Sequence, residues 1–245
     1  MSYDYIIVIP ARLKSTRLPS KPLIKINGIP MIIRTCNQCA KVVDRTRIFV
    51  ATDSKKILNL VKSYKFNCIM TSKKCKTGTD RVSELSKKIK SEIYINLQGD
   101  EPVFSTRDLK KFISFSLKNY NHPVIGMSKS LNKKYYFSKK IPKLVFTKSK
   151  QLMYITRAPI PSSKNNNDNK FYRQICIYSF PKKYLNFYGQ DRNKSIFEKK
   201  EDIEILRLVE NDINVKVVEL SDNSISVDTK ADIKKVENFI SKNDI

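Results

Sequence analysis

The sequence predicts an α/β protein with a mostly parallel central sheet, helices on both faces and a smaller mixed-sheet excursion. Two observations carry that prediction. In the first half, short apolar runs bounded by turn residues alternate with amphipathic stretches of 10–15 residues, the pattern of strands and helices in turn. After residue 117 the alternation gives way to strand-like runs joined by short turns, as an antiparallel or mixed region would require.

Taken in order, Tyr5–Ile9 reads as a buried strand and Ala11 to Pro22 as a polar loop. Pro30–Val43 has helical spacing, Arg47–Ala51 is a second strand and Lys55–Lys65 a second helix. Asn67–Thr71, Asp80–Ile89 and Glu92–Leu97 continue as strand, helix and strand, the last ending on Gly99-Asp100-Glu101-Pro102. Asp108–Leu117 is a helix, and Pro123–Ser128, Lys143–Thr147, Gln151–Ile155 and Arg173–Phe180 are strands. Between them, the asparagine-rich stretch Ser162 to Asn169 is expected to be a mobile surface loop. Glu198–Glu210 reads as one long helix, Val215–Glu219 as a strand and Lys230–Ser241 as a closing helix. No internal repeat and no long linker divides the chain, so residues 1–245 are expected to form one domain, with an excursion over roughly 123–190.

Composition excludes several classes. Apolar residues are 40% of the chain, enough for a sizeable core. No apolar run approaches the ~20 residues that span a bilayer, and Ile6 to Pro10 is too short for a signal peptide; cytoplasmic residence is the expectation. The five cysteines include a C-x-x-C pair, Cys36 and Cys39, but it falls in a helical pattern without a second pair or a nearby histidine, so buried thiols are expected rather than zinc. With His122 the only histidine, in a loop-like stretch before Pro123, a histidine-based triad or a His-ligated metal is not expected. The net charge of +25 raises nucleic-acid binding as a rival. Against it, lysines recur along the whole chain beside many Asn and Ile, a signature that an A/T-rich genome also leaves. The densest stretch, Lys129 to Lys150, interleaves Tyr135, Tyr136 and Phe137 and reads as solvated surface.

In an open parallel sheet, ligands bind beyond the carboxyl ends of the strands. Three unusual segments lie there. The loop Pro10 to Pro22 gathers Arg12, Lys14, Arg17 and Lys21, with small residues between them; it suits a triphosphate, or is an ordinary basic loop. Asn96-Leu97-Gln98-Gly99-Asp100-Glu101-Pro102 ends a strand on a carboxylate, and Ser226-Val227-Asp228-Thr229 offers another. Either aspartate alone could be a turn former or a cap. Together they suit Mg²⁺, which takes one or two carboxylates plus phosphate oxygens and water. Convergence of Asp100 and Asp228 at one sheet edge is the sharpest structural expectation.

Six segments occur in one order: I-P-A-R-x-x-S-T-R-L-P-x-K-P-L from Ile9, A-T-D at Ala51–Asp53, T-G-T-D-R at Thr77–Arg81, N-L-Q-G-D-E-P from Asn96, Y-x-x-R-A-P-I-P at Tyr154–Pro161, and V-D-T at Val227–Thr229. Together they resemble the 3-deoxy-manno-octulosonate (Kdo) cytidylyltransferases, also called CMP-Kdo synthetases, over nearly the whole chain. The first and fifth are specific; CMP-sialate synthetases share the fold, but their opening loop is glycine-rich and lacks R-L-P-x-K. The resemblance implies a three-layer nucleotide-diphospho-sugar transferase-like fold, a homodimer, and CMP transfer from CTP to Kdo for lipopolysaccharide or capsule synthesis. It implies that Ala11, Arg12, Ser15, Arg17 and Lys21 hold CTP with Thr52, Asp53, Thr77, Gly78, Thr79, Arg81 and Gln98. Gln98 would also meet the sugar, with Arg157, Gln174, Tyr178 and Glu204. Asp100 and Asp228 would hold Mg²⁺ and, with Arg12 and Lys21, carry the catalysis. Five positions depart from the family pattern: Ser20 and Cys176 replace glycines, Asp80 a glutamate, Gln174 a histidine and Ile205 a glutamine. Two of these fall in the implied sugar site, which raises another 2-keto-3-deoxy acid, such as 8-amino-Kdo, as an alternative acceptor.

Overall fold

A computed structural model of the chain describes residues 2–14, 18–164, 170–190, 193–221 and 223–243. The first strand, β1 (Tyr3–Ala11), is followed by a tight hairpin, β2 (Lys25–Ile26) and β3 (Ile29–Pro30), and then by α1 (Met31–Ala40). The hairpin turns on Asn27 (φ 44°) and Gly28 (φ 78°), both left-handed, as a two-residue turn between twisted strands demands. Next come β4 (Ile48–Thr52), α2 (Lys55–Ser63), β5 (Asn67–Met70), α3 (Gly78–Ser86), β6 (Ser91–Leu97) and α4 (Thr106–Lys118). The excursion holds β7 (Val124–Ser130), α5 (Lys133–Phe137), β8 (Lys143–Phe146), β9 (Leu152–Thr156), β10 (Phe171–Pro181) and α6 (Lys182–Gln190). The chain closes through α7 (Ile196–Glu201), α8 (Leu206–Val209), β11 (Lys216–Glu219) and α9 (Lys230–Asn243).

The main sheet runs β11-β7-β10-β6-β1-β4-β5, with β8 and β9 continuing from β10. β1, β4, β5 and β6 are mutually parallel, and β10 is antiparallel to β6 and β7, so the expected change from parallel to mixed occurs at β10. Alternation along β1 builds both faces of the core. Ile7 and Ile9 pack with Ile32, Ile33 and Cys36 of α1, while Ile6 and Val8 pack with Val82 and Leu85 of α3 and Leu185 of α6. A strand buried on both faces is why the run Ile6–Ile9 is unbroken by polar residues. All five cysteines are free, and Cys36 and Cys39 are buried. Burial pushes the Cys36 thiol well up and the Cys39 thiol to about 12.

The structure corrects the single long helix expected over Glu198–Glu210. α7 stops at Glu201, Asp202 takes a left-handed conformation (φ 53°), and α8 begins only at Leu206. Periodicity cannot reveal such a break, because the apolar spacing continues through it. The cause is local: Arg157 donates from Nε to the carbonyl of Glu201 and from Nη2 to that of Asp202, satisfying the end of α7 in place of a further turn. The helix α6 and the short α5 were not foreseen. In the expected mobile loop, residues 162–164 form no helix or strand, and 165–169 lie outside the described residues.

Candidate active site

Register places the site. Ala11 of β1 is opposite Thr52 of β4, Thr52 is opposite Met70 of β5, and Val8 is opposite Asn96 of β6. The loops after these strands therefore open on one sheet edge. A cleft of ≈ 270 Å³ lies there, lined by Ala11, Arg12, Lys21, Thr77, Gly78, Arg81, Gln98, Asp100 and Glu204, among others.

Lys21 starts a short 3₁₀ turn with the buried Pro22, entered through Ser20 at φ 53°. Ser20 thus holds the left-handed conformation for which glycine is the ordinary choice. The Lys21 ammonium donates to Asp100 Oδ2 at 2.6 Å and to Asp228 Oδ1 at 3.0 Å. The two aspartates converge as expected. Their backbones are stitched by Val227 N–H donating to the Asp100 carbonyl, and Asp232, at the start of α9, accepts from the Asp228 and Thr229 amides. Burial opposes the charge of Lys21, but Asp100 and then Asp228 outweigh it, so the ammonium's pKa is raised. The adjoining Glu101 is buried with Oε2 unpartnered among the described residues; burial and then the Asp100 charge push its carboxyl up to about 8.

Two converging carboxylates offer the hard oxygen donors that suit Mg²⁺. No group of three or more His, Cys, Asp or Glu side chains among the described residues could hold a metal, and a site completed by substrate phosphates needs none.

The opposite wall is α3. Thr77 caps it, and Asp80 answers as the reciprocal cap, accepting from the Thr77 amide. Asp80 also lies 3.5 Å from Arg207, which pairs with Glu198 at 2.6 Å, so the departure at position 80 keeps a carboxylate in a buried ion-pair network. Glu204, released from helix by the break at Asp202, accepts from the amides of Gly78 (3.0 Å) and Thr79 (2.8 Å). Burial raises its carboxyl pKa, and the bonds from Thr79 and Gly78 work against that rise.

Other expected residues are placed unevenly. Arg81 is 3% exposed and lines the cleft, held by Asp53 at 3.1 Å and Thr71 at 2.6 Å. Asp53 therefore acts on Arg81 rather than lining the cleft, and Thr52 is buried, accepting from the Ser54 amide. Thr79 is buried too. Gln98 donates to Asn96 Oδ1 at 3.2 Å and presses on Gly78, where a Cβ would meet its amide at 3.0 Å. Ser15 and Arg17 lie outside the described residues.

Of the expected sugar residues, only Gln98 and Glu204 line the cleft. Gln174 and Tyr178 are brought together behind it, Nε2 of the amide donating to the phenol oxygen. Burial, then Cys176 and Glu204, hold the Tyr178 phenol well above its ordinary range. A two-residue bulge in β10 between Ile175 and Tyr178 sets this pair, packed so closely that a Cβ on Gly126 would lie 2.7 Å from Ile177. Arg157 is not on the cleft wall: besides the α7 end, its guanidinium donates to the carbonyls of Lys139 and Lys140. Ile205 is 1% exposed within the core. Among the lining residues that the sequence reading missed are Met31, Cys75, Lys76, Lys194 and Asp202. Lys76 adjoins the T-G-T-D-R segment, which was a usable signal. Lys194 and Asp202 pair at 2.5 Å only because α7 ends at Glu201.

A cleft lined by cations and Asp100, with Asp228 converging beside it at the carboxyl edge of a mostly parallel sheet, fits a nucleotidyltransferase of the α/β class. Residues 6–220 match the cytidylyltransferase family model. The 3-deoxy-manno-octulosonate cytidylyltransferase of Chloroherpeton thalassium is 33% identical over 241 residues, 97% of this chain and 98% of its own. That of Escherichia coli is 33% identical over 231 residues, 94% of each chain. A solved structure of CMP:2-keto-3-deoxy-manno-octonic acid synthetase complexed with CTP superposes with a TM-score of 0.90 at 31% identity, covering 97% of this chain and 98% of its own. The chain belongs to the cytidylyltransferase family, on the branch of the 3-deoxy-manno-octulosonate enzymes.

Proposed function

We propose that the chain transfers CMP from CTP to the anomeric hydroxyl of Kdo, giving CMP-Kdo and pyrophosphate for lipopolysaccharide or capsule synthesis. The observation that carries the reading is the meeting of Asp100 and Asp228 on Lys21 beside the cleft. The sugar oxygen forms a bond to the α-phosphorus as the bond to the pyrophosphate oxygen breaks, and the hydroxyl proton passes to solvent. Arg12 and Lys21 bind the phosphates and offset the charge that builds on departing pyrophosphate. Gln98, fixed by Asn96, orients the junction between nucleotide and sugar, and Arg81, fixed by Asp53 and Thr71, closes the nucleotide side. Such preorganised positioning accounts for most of the acceleration in phosphoryl transfer. Asp100 and Asp228 would hold Mg²⁺, which when bound neutralises charge at the α-phosphate and acidifies the attacking hydroxyl.

The enzyme is further proposed to act in the cytoplasm as a homodimer. No helix among the described residues is long and apolar enough to cross a membrane. Exposed Leu131, Phe137, Met153, Ile196 and Phe197 give the excursion and the neighbouring α7 an apolar surface fit for a second copy.

The test is pyrophosphate release from CTP and Mg²⁺ with Kdo, run beside 8-amino-Kdo. Release with Kdo that falls at least ~100-fold in Asp100→Ala supports the reading. Release with the amino sugar alone would reassign the acceptor, and silence with both would overturn the transferase.

A further inference from the structure

Lys21 occupies a position with two incompatible uses. Its ammonium touches a carboxylate oxygen of each aspartate, 2.6 Å from Asp100 and 3.0 Å from Asp228. Its side chain is only 13% exposed, less than either aspartate at 31% and 38%, so the cation sits inward between them. The backbone beneath it is fixed: Pro22 is buried, and the amides of Leu23 and Ile24 donate to the carbonyls of Ser20 and Lys21. What can move is the stem, four methylenes carrying a compact charge with three rotatable donors.

A divalent cation bound by the same two carboxylates needs oxygens at ~2.0–2.1 Å in near-octahedral array. An ammonium bridging those oxygens from within hydrogen-bonding distance blocks the array and repels the ion. At ~4 Å even an effective dielectric near 20 leaves several kcal/mol between charges of one sign. The same ammonium lines the cleft beside Arg12, where the phosphates of a nucleoside triphosphate would offer it new acceptors.

We propose that Lys21 is a placeholder cation: in the substrate-free chain it holds Asp100 and Asp228 together, and it releases them to a divalent metal when triphosphate oxygens take its ammonium. The inference rests on the reading of these aspartates as metal ligands. It makes metal loading depend on the nucleotide and keeps the pair of carboxylates from repelling each other before substrate arrives.

The experiment is Mn²⁺ binding to the whole chain without nucleotide or sugar, followed by electron paramagnetic resonance and by thermal unfolding. Lys21→Met, which keeps the apolar stem and removes the charge, is expected to bind Mn²⁺ at least ~10-fold tighter than the parent. It should also melt lower without metal and gain more from Mn²⁺ than the parent does. Lys21→Gln gives a second neutral variant should the methionine disturb folding, and the same ordering is expected. Equal or weaker Mn²⁺ binding in the neutral variants overturns the placeholder role. Tight Mn²⁺ binding that survives Asp100→Asn in the Lys21→Met background would place the metal elsewhere, and then it is the assignment of the aspartates that fails.

Discussion

Glu204 offers the sharpest separation between a residue that touches the sugar and one that shapes the nucleotide loop. Its carboxylate takes the Gly78 and Thr79 amides, two of the donors that the first turn of α3 leaves without helical partners. In Glu204→Gln the amide oxygen can keep one of these bonds, now neutral, while its NH₂ faces the other N–H. Replacing a charged acceptor by a neutral one costs ~1 kcal/mol, and leaving a buried donor unpaired costs ~1–3 kcal/mol. Some favourable interaction with the helix dipole is lost as well. Burial, which raises the carboxyl's pKa, offsets part of this, so the expected loss is ~2–4 kcal/mol in urea unfolding. Because Thr77 and Gly78 line the cleft, the KM for CTP should rise at least ~5-fold, the equivalent of ~1 kcal/mol, along with any change in the KM for Kdo. An unfolding midpoint equal to the parent's would refute the clamp. A rise in the sugar KM with that for CTP unchanged would show that Glu204 serves the acceptor alone.

Two further outcomes are expected. Light scattering should give twice the 28.5 kDa chain mass, and Phe137→Lys with Met153→Lys should halve it; a monomeric parent would remove the dimer. The chain should lose stability steeply above pH 9, because the Cys39, Cys68 and Cys75 thiols are pushed up to about 12, mainly by burial. Each is neutral in both states below its ordinary value near 9, so its contribution is fully present there. Between 9 and 12 only the unfolded thiol ionises, at a cost to stability of ~1.4 kcal/mol per pH unit for each group. Cys39→Ala should flatten that slope in pH-dependent denaturation, and an unchanged slope would count against the buried thiols.

The parallel half of the fold was legible because its inner strands are buried on both faces and its helices largely on one, so hydrophobic spacing maps directly onto topology. Asp100 was legible for a related reason, as a carboxylate just past the apolar strand β6; Asp228 lies instead in the loop between β11 and α9, and what marked it was the buried Val227 before it in the V-D-T segment. What stayed hidden depends on single backbone choices. The left-handed Asp202 breaks a helix whose apolar spacing carries on through it, and with it go the positions of Lys194 and Glu204. Arg157 stands in a specific motif, yet its guanidinium is spent on carbonyl oxygens, and only the path of the neighbouring chain reveals that. Asp53 misled in a smaller way, since a polar residue after a strand can serve the site at one remove, here through Arg81.

The two departures in the implied sugar site now separate. Ile205 is enclosed in the core against the excursion, where a glutamine amide would need partners that this packing does not supply, so its apolar character belongs to the fold of the broken helix. Gln174 is different. It is 6% exposed and donates to Tyr178, whose phenol feels the charges of Glu204 and Asp100. A neutral amide keeps this donor at every pH, whereas a histidine there would change charge near neutrality. Gln174 therefore holds Tyr178 through a hydrogen bond that does not titrate, where the histidine of the implied family pattern would place a titrating group near the acidic wall of the cleft. That argues for an altered pH dependence with the same acceptor rather than for a new sugar, in keeping with relatives named for 3-deoxy-manno-octulosonate.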